Sequence, residues 1–237
     1  MSLDTFEKPD DLYLARGEEV NPLRPLFTGD VVADVAIPGV QDGGMAVVVV
    51  AHPCSMRGKD AQLEPRVLVA AVAEGGKIGR AAWAGGHFAL MPLPDLVEAS
   101  KLCVARVDDI GKALTEQLVA GTRVACLTPF GVNLLQQRFI WRLTRHEVPT
   151  YQLQEVSAHV FEEADLLEEW GDTVCAAGAS PERAAAAFEA FVRADRGGGN
   201  SLQGDLRDPQ RRSTVRSACR AEAERVAEEF RCRQGDP

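Results

Sequence analysis

Aromatic residues make up only 6% of this 237-residue chain, and histidine occurs four times at scattered positions, which argues against a histidine-rich metal centre. A basic excess is also missing. Lys and Arg number 26 against 35 Asp and Glu, a net charge of −9 that excludes a protein coating duplex nucleic acid through its global field. No stretch approaches the roughly 18 to 20 uncharged apolar residues of a membrane helix. The start, MSLDTFEKPDD, is acidic and lacks the basic n-region of a signal peptide, so a soluble cytoplasmic protein with no membrane partner is expected. The six cysteines, Cys54, Cys103, Cys126, Cys175, Cys219 and Cys232, never come closer than 13 residues, and none forms a CxxC or CxxH pair. Reduced thiols, no metal and no cofactor are the expectation.

The charge that is present is uneven. Residues 1–150 hold 15 basic and 18 acidic side chains, residues 151–200 hold 3 and 10, and residues 201–237 hold 8 and 7, so any contact with a polyanion must be local. Between Asp30 and Leu127 the chain is written in short Val- and Ala-rich runs broken by Gly and Pro, the pattern of strands joined by loops. Strands are expected over Asp30–Ile37, Met45–Ala51, Arg66–Ala73, Phe88–Leu93, Leu102–Val107 and Arg123–Leu127. The nearly all-β-branched run ending at Ala51 predicts a central strand. Thr128-Pro129 reads as a helix start, with Phe130, Leu134, Ile140 and Trp141 on its buried side. Helices are expected over Glu155–Ala177, from Ser180-Pro181 to the glycine run, and over Pro209–Arg233. The segment 197–208, which opens with Gly197-Gly198-Gly199, reads as a hinge, since three glycines cost backbone entropy. The fold class expected is α+β: an SH3-like antiparallel β-barrel over residues 1–148 followed by a helical C-terminal region over 149–237.

The succession Gly29-Asp30-Val31-Val32, a hydrophobic strand ending at Ala51, a second over Val67–Ala73, and the phrase Leu102-Cys-Val-Ala-Arg-Val-Asp-Asp-Ile110 before an apolar helix resembles the MazF/PemK family over about residues 27–145. The resemblance implies an SH3-like barrel acting on single-stranded RNA in a bacterial toxin–antitoxin or phage-defence setting. Two positions depart from it. Where RNA-cleaving members carry an arginine just before the second strand and a threonine or serine at the end of the third, this chain has Asp42-Gly43-Gly44-Met45 and Ala71-Val72-Ala73-Glu74. Neither family residue can be transferred.

The phrase Ala51-His52-Pro53-Cys54-Ser55-Met56-Arg57-Gly58 concentrates an imidazole, a thiol and a guanidinium within six residues. His52 as base for a ribose 2′-OH and Arg57 as cation for the phosphate would satisfy metal-free RNA cleavage. Cys54 as a nucleophile activated by His87 or His146 is a second use of the phrase, and simple strand termination is a third. Arg66, before a strand, and His87, after Gly85-Gly86, are candidate RNA contacts. Arg212, Arg216 and Arg220 fall at i, i+4 and i+8 on one helix face, a spacing suited to several phosphates and equally to ion pairs with neighbouring acids. Asp108 and Asp109, adjacent on a strand, point to opposite faces and form no paired acid–base site. Two functions stand: a MazF-like endoribonuclease on single-stranded RNA, or a non-catalytic interaction module whose acidic helices meet a protein partner or a second copy.

Overall fold

A computed structural model of the chain describes residues 2–40, 46–58, 62–76, 78–97 and 101–234; Asp42-Gly43-Gly44-Met45 and the side chain of Cys54 lie outside this set. The protein is mixed α/β, with a curled antiparallel sheet and helices. Seven strands form the sheet: β1 (Tyr13–Arg16), β2 (Asp30–Val32), β3 (Ala46–Val49), β4 (Arg66–Glu74), β5 (Leu90–Pro94), β6 (Leu102–Leu114) and β7 (Arg123–Leu127). Their order is β1-β7-β2-β3-β4-β6-β5. The AVVV of β3 is central, as its β-branched composition requires, and Val47, Val48 and Val49 are fully buried. β2 and β6 differ most from the lengths expected of them. β2 stops after Val32 because Asp34 turns into the left-handed region (φ 59), and β6 runs on to Leu114, its register with β4 shifting between Ala70 and Val72. β1, four residues without clear alternation, is an edge strand that the sequence pattern does not announce.

The glycine of the Gly-Asp phrase is a geometric requirement. Gly29 has φ +88, and a Cβ there would sit 2.7 Å from Val132 Cγ2 and 2.9 Å from Leu127 Cβ. Asp30 is buried: its carboxylate accepts the Phe27 N–H at 2.8 Å and lies 3.4 Å from Arg123 Nε. Both residues of that phrase thus have structural work.

The helices are α1 (Pro53–Met56), α2 (Arg80–Gly85), α3 (Thr115–Ala120), α4 (Pro129–Thr144), α5 (Thr150–Ala176), α6 (Pro181–Arg193), α7 (Leu202–Asp205) and α8 (Arg212–Gln234). α4 starts where the Thr-Pro signal places it, with Thr128 Oγ1 accepting the Gly131 N–H at 3.0 Å, and it closes at Arg145 in the left-handed conformation. No helix among the described residues is long and apolar enough to cross a membrane.

The chain divides into two compact units. The first comprises Met1–Asn21 and Leu26–Val156, the second Pro22–Pro25 and Ser157–Pro237. The first is built on the sheet, and its core includes Ile37, Val47, Val49, Met56, Val67 and Val69. The second is helical around Trp170, Phe188, Leu202, Leu206, Val215 and Cys219. At the glycine run in this unit, the Asp195 carboxylate accepts the N–H groups of Gly197 (2.8 Å) and Gly199 (3.2 Å), and the Arg196 N–H reaches the Asn200 carbonyl at 2.8 Å. All three glycines have positive φ, and buried Leu202 and Leu206 come soon after them. Five cysteines, Cys103, Cys126, Cys175, Cys219 and Cys232, form no disulfide.

Candidate functional site

The His52–Arg57 phrase sits where β3 leaves the sheet. The N–H groups of Val50 and Ala51 both donate to the Leu68 carbonyl, at 3.1 and 3.2 Å, a local bulge that ends the ladder. Thr28 Oγ1 donates to the Ala51 carbonyl, anchoring the exit. Proline then starts α1, and the His52 carbonyl accepts the N–H groups of Ser55 (2.7 Å) and Met56 (3.2 Å). Fully buried Met56 pins this turn into the core. Beyond it Arg57 bridges Leu63, the Gly58 N–H donates to the Gln62 carbonyl at 2.9 Å, and the Glu64 N–H donates to the Met56 carbonyl at 2.7 Å. The chain therefore folds back on itself before entering β4.

This fold-back brings a third candidate to the same place. β3 and β4 pair antiparallel from Ala46↔Val72 to Val49↔Val69, so the exit of β3 and Arg66, the first residue of β4, lie toward the same end of the pair. His52, Arg57 and Arg66 thus share one end of the β3–β4 pair, with Arg66 exposed. Burial shifts the pKa of the half-buried His52 below the ordinary 6.5, which favours the neutral imidazole. The phrase and Arg66 thus lie on adjoining segments of the chain.

The other candidates lie elsewhere. His87, with φ 53, comes after α2, and its exposed ring meets Trp83 edge-on at 5.6 Å. Two strands, β4 and β6, separate β3 from the β5 edge that His87 precedes. In the helical unit, Arg212 Nε donates to the Leu206 carbonyl at 2.9 Å. Arg216 holds Glu162 at 2.5 Å and also Glu169, while Arg220 Nε donates to Glu169 at 3.0 Å. Two of the three arginines in the i, i+4, i+8 row thus meet carboxylates of α5. On β6, Asp108 pairs with Arg142 at 2.6 Å, which holds its carboxyl below the ordinary range, and Asp109 pairs with Arg106 at 2.7 Å.

Among the described residues, clefts lie within both units. One of about 420 Å³ in the helical unit is lined by Glu169, Trp170, Cys219 and Arg220 among others. In the sheet unit, one of about 420 Å³ lies against Phe6, Arg80, Trp83 and Pro94, and one of about 700 Å³ lies at the starts of α4 and α5. None of the three is lined by His52, Arg57, Arg66 or His87. The last cleft escaped sequence reading because its walls come from residues over a hundred positions apart. Among the described residues, no group of three His, Cys, Asp or Glu side chains is placed to hold a metal ion. No protein-family model matches the chain, and no curated protein matches it.

Proposed function

We propose that the sheet unit acts on single-stranded RNA as a MazF-like, SH3-type barrel of the toxin–antitoxin or phage-defence kind, with His52, Arg57 and Arg66 as its working residues. What supports this reading is the antiparallel pairing of β3 with β4, since the phrase follows the end of β3 and Arg66 opens β4. Neutral His52 takes the proton of a ribose 2′-OH; the freed oxygen attacks the adjacent phosphorus, and the P–O5′ bond breaks to leave a 2′,3′-cyclic phosphate. Water or the imidazolium returns a proton to the departing 5′ oxygen. Arg57 and Arg66 stabilise the charge building on the phosphorane. The test is incubation of the protein with single-stranded RNA at low salt. Cleavage that falls about a hundredfold in His52→Ala and in Arg57→Ala supports the reading; no binding and no cleavage by the unmodified protein ends it.

A second reading is a non-catalytic interaction module on the same barrel, with the acidic helices of residues 155–195 as contact surface. It is favoured by the carboxylate pairing of Arg216 and Arg220 and by the missing family arginine and threonine. RNA binding without cleavage, or neither, selects between a binding scaffold for RNA and one for protein.

A further inference from the structure

The pairing of β4 with β6 sets Arg66 opposite Leu114, Val67 opposite Ala113 and Leu68 opposite Lys112. Directly opposed residues point to the same face of a sheet, and alternate residues along a strand share it. One face is closed here, since Val67, Val69 and Ala113 belong to the buried core around Ile37. The other carries Arg66, Leu68 and Ala70 on β4 against Leu114, Lys112 and Ile110 on β6. Farther along this second face Ala70 and its β3 neighbour Val48 are fully buried. Toward the end where β3 makes its exit the face is uncovered: Arg66 and Lys112 are exposed, and so is Leu68, at 37%.

The two cations on this face differ from their neighbours. Arg106 and Arg142 are held by Asp109 and Asp108, whereas among the described residues neither Arg66 nor Lys112 has an ion-pair partner. Diagonal neighbours across an antiparallel pair stand about 7–8 Å apart, so Arg66 and Lys112 present two like charges at a spacing that successive phosphates of an extended strand can match. Leu68 lies between them with half-buried Leu114 and Ile110 alongside. No aromatic ring stands among these six residues, so the face offers charge and aliphatic surface but no stacking platform. Such a surface suits a sugar–phosphate backbone and reads no bases. It is also continuous with the end of the β3–β4 pair that the His52–Arg57 phrase follows, because Arg66 belongs to both.

We infer that this uncovered end of the sheet face is the track that carries single-stranded RNA to the His52–Arg57 phrase, with Arg66 and Lys112 each taking a phosphate and Leu68 lying under the sugar between them. The inference rests on the RNA reading proposed above. It adds to that reading a contact, Lys112, that belongs to no sequence motif, and a rule, that docking along this track is indifferent to base sequence.

The test uses the full-length protein and labelled 2′-O-methyl oligouridine and oligocytidine, which bind as single strands but lack the free 2′-OH that cleavage needs. Affinity is followed against salt. Lys112→Gln weakens both oligonucleotides about three- to tenfold and lowers the slope of log affinity against log salt by about 0.7, the share of one phosphate contact on a single strand. Leu68→Thr weakens both by a smaller factor and leaves the slope as it is. Arg207→Gln, which removes an exposed cation of the helical unit, changes neither. Equal losses in Lys112→Gln and Arg207→Gln, or no loss in Lys112→Gln, overturn the track and leave the His52 chemistry to its own cleavage test. Displacement of the oligonucleotide by a polyglutamate of matched charge overturns it in favour of an acidic protein partner. No binding by the unmodified protein ends both readings, whereas Lys112-dependent binding without cleavage of ordinary RNA upholds the track and ends the chemistry.

Discussion

The two units handle their polar groups differently. In the helical unit cations meet carboxylates: buried Arg24 pairs with Glu168 at 2.5 Å, Arg193 with buried Glu189 at 2.7 Å, and Arg216 and Arg220 with Glu162 and Glu169. In the sheet unit several groups retain unused capacity. Arg138 is 2% exposed, donates to the Trp83 carbonyl at 3.3 Å, lies over the Trp83 ring at 5.9 Å, and has an amine nitrogen without a partner. Asn133 keeps its buried carbonyl, and Arg66 stands exposed. The sheet unit also has ion pairs, Arg142 with Asp108 and Arg106 with Asp109, so the contrast lies in the buried guanidinium of Arg138, which has no carboxylate partner, against the paired Arg24. The helical unit too holds a buried donor without a hydrogen-bond partner, Trp170 Nε1, on a ring packed against Phe188 and Phe191.

The largest expected effect sharpens the apolar side of this contrast. Phe188 is fully buried against Trp170, so Phe188→Ala should destabilise the helical unit by about 3–5 kcal/mol in urea unfolding tracked by helix signal. A smaller loss would mean that this core is loosely filled. In the sheet unit the opposite sign is expected. Burial holds the Arg138 guanidinium down to about 10, the mark of a charge kept out of water without a counter-ion. Arg138→Met should therefore raise stability by about 1–3 kcal/mol. Destabilisation by this variant would break the comparison, showing that its contacts with Trp83 outweigh its desolvation.

Next in size is the ion lattice. Arg216→Gln should cost about 1 kcal/mol, since its guanidinium is only 28% exposed and bridges two acids, and should leave affinity for single-stranded RNA unchanged. A drop in RNA affinity with a shallower salt dependence would return this row to the phosphate-binding role that its spacing also allows.

What could be read in the sequence depends on how locally each feature is determined. The starts of β4, β7, α4 and α6, and the end of α5, lie within a residue or so of where hydrophobic period, Thr-Pro and Ser-Pro signals set them. β1 is held by pairing with β7 across more than a hundred residues, so four residues of Tyr-Leu-Ala-Arg carry no trace of it. α2 and α3 are six residues each, too short to show a period. His52, Cys54 and Arg57 could be singled out because they are contiguous, whereas the approach of Arg66 depends on strand register. The Arg216–Glu162 pairing depends on which helix α8 meets, and the i, i+4 rule describes only a single helix.

The smallest effect concerns His52 and is read from a pH profile. Because burial lowers its folded-state pKa below 6.5, the unfolded chain binds a proton there more readily than the folded one. Stability from the neutral imidazole is complete above pH 6.5 and is lost as the pH falls through the folded-state value. Asp108 and Glu222, held below the ordinary carboxylate range by Arg142 and Arg225, give up their contributions at still lower pH. Asp165, pushed up by burial, acts with the opposite sign. The informative quantity is therefore the difference between the unmodified protein and His52→Gln. That difference should be flat above pH 7 and slope below 6.5, with the variant losing less stability on acidification. A difference flat across the whole range would show that the imidazole titrates as freely folded as unfolded, and would remove the environment that keeps His52 neutral as a base.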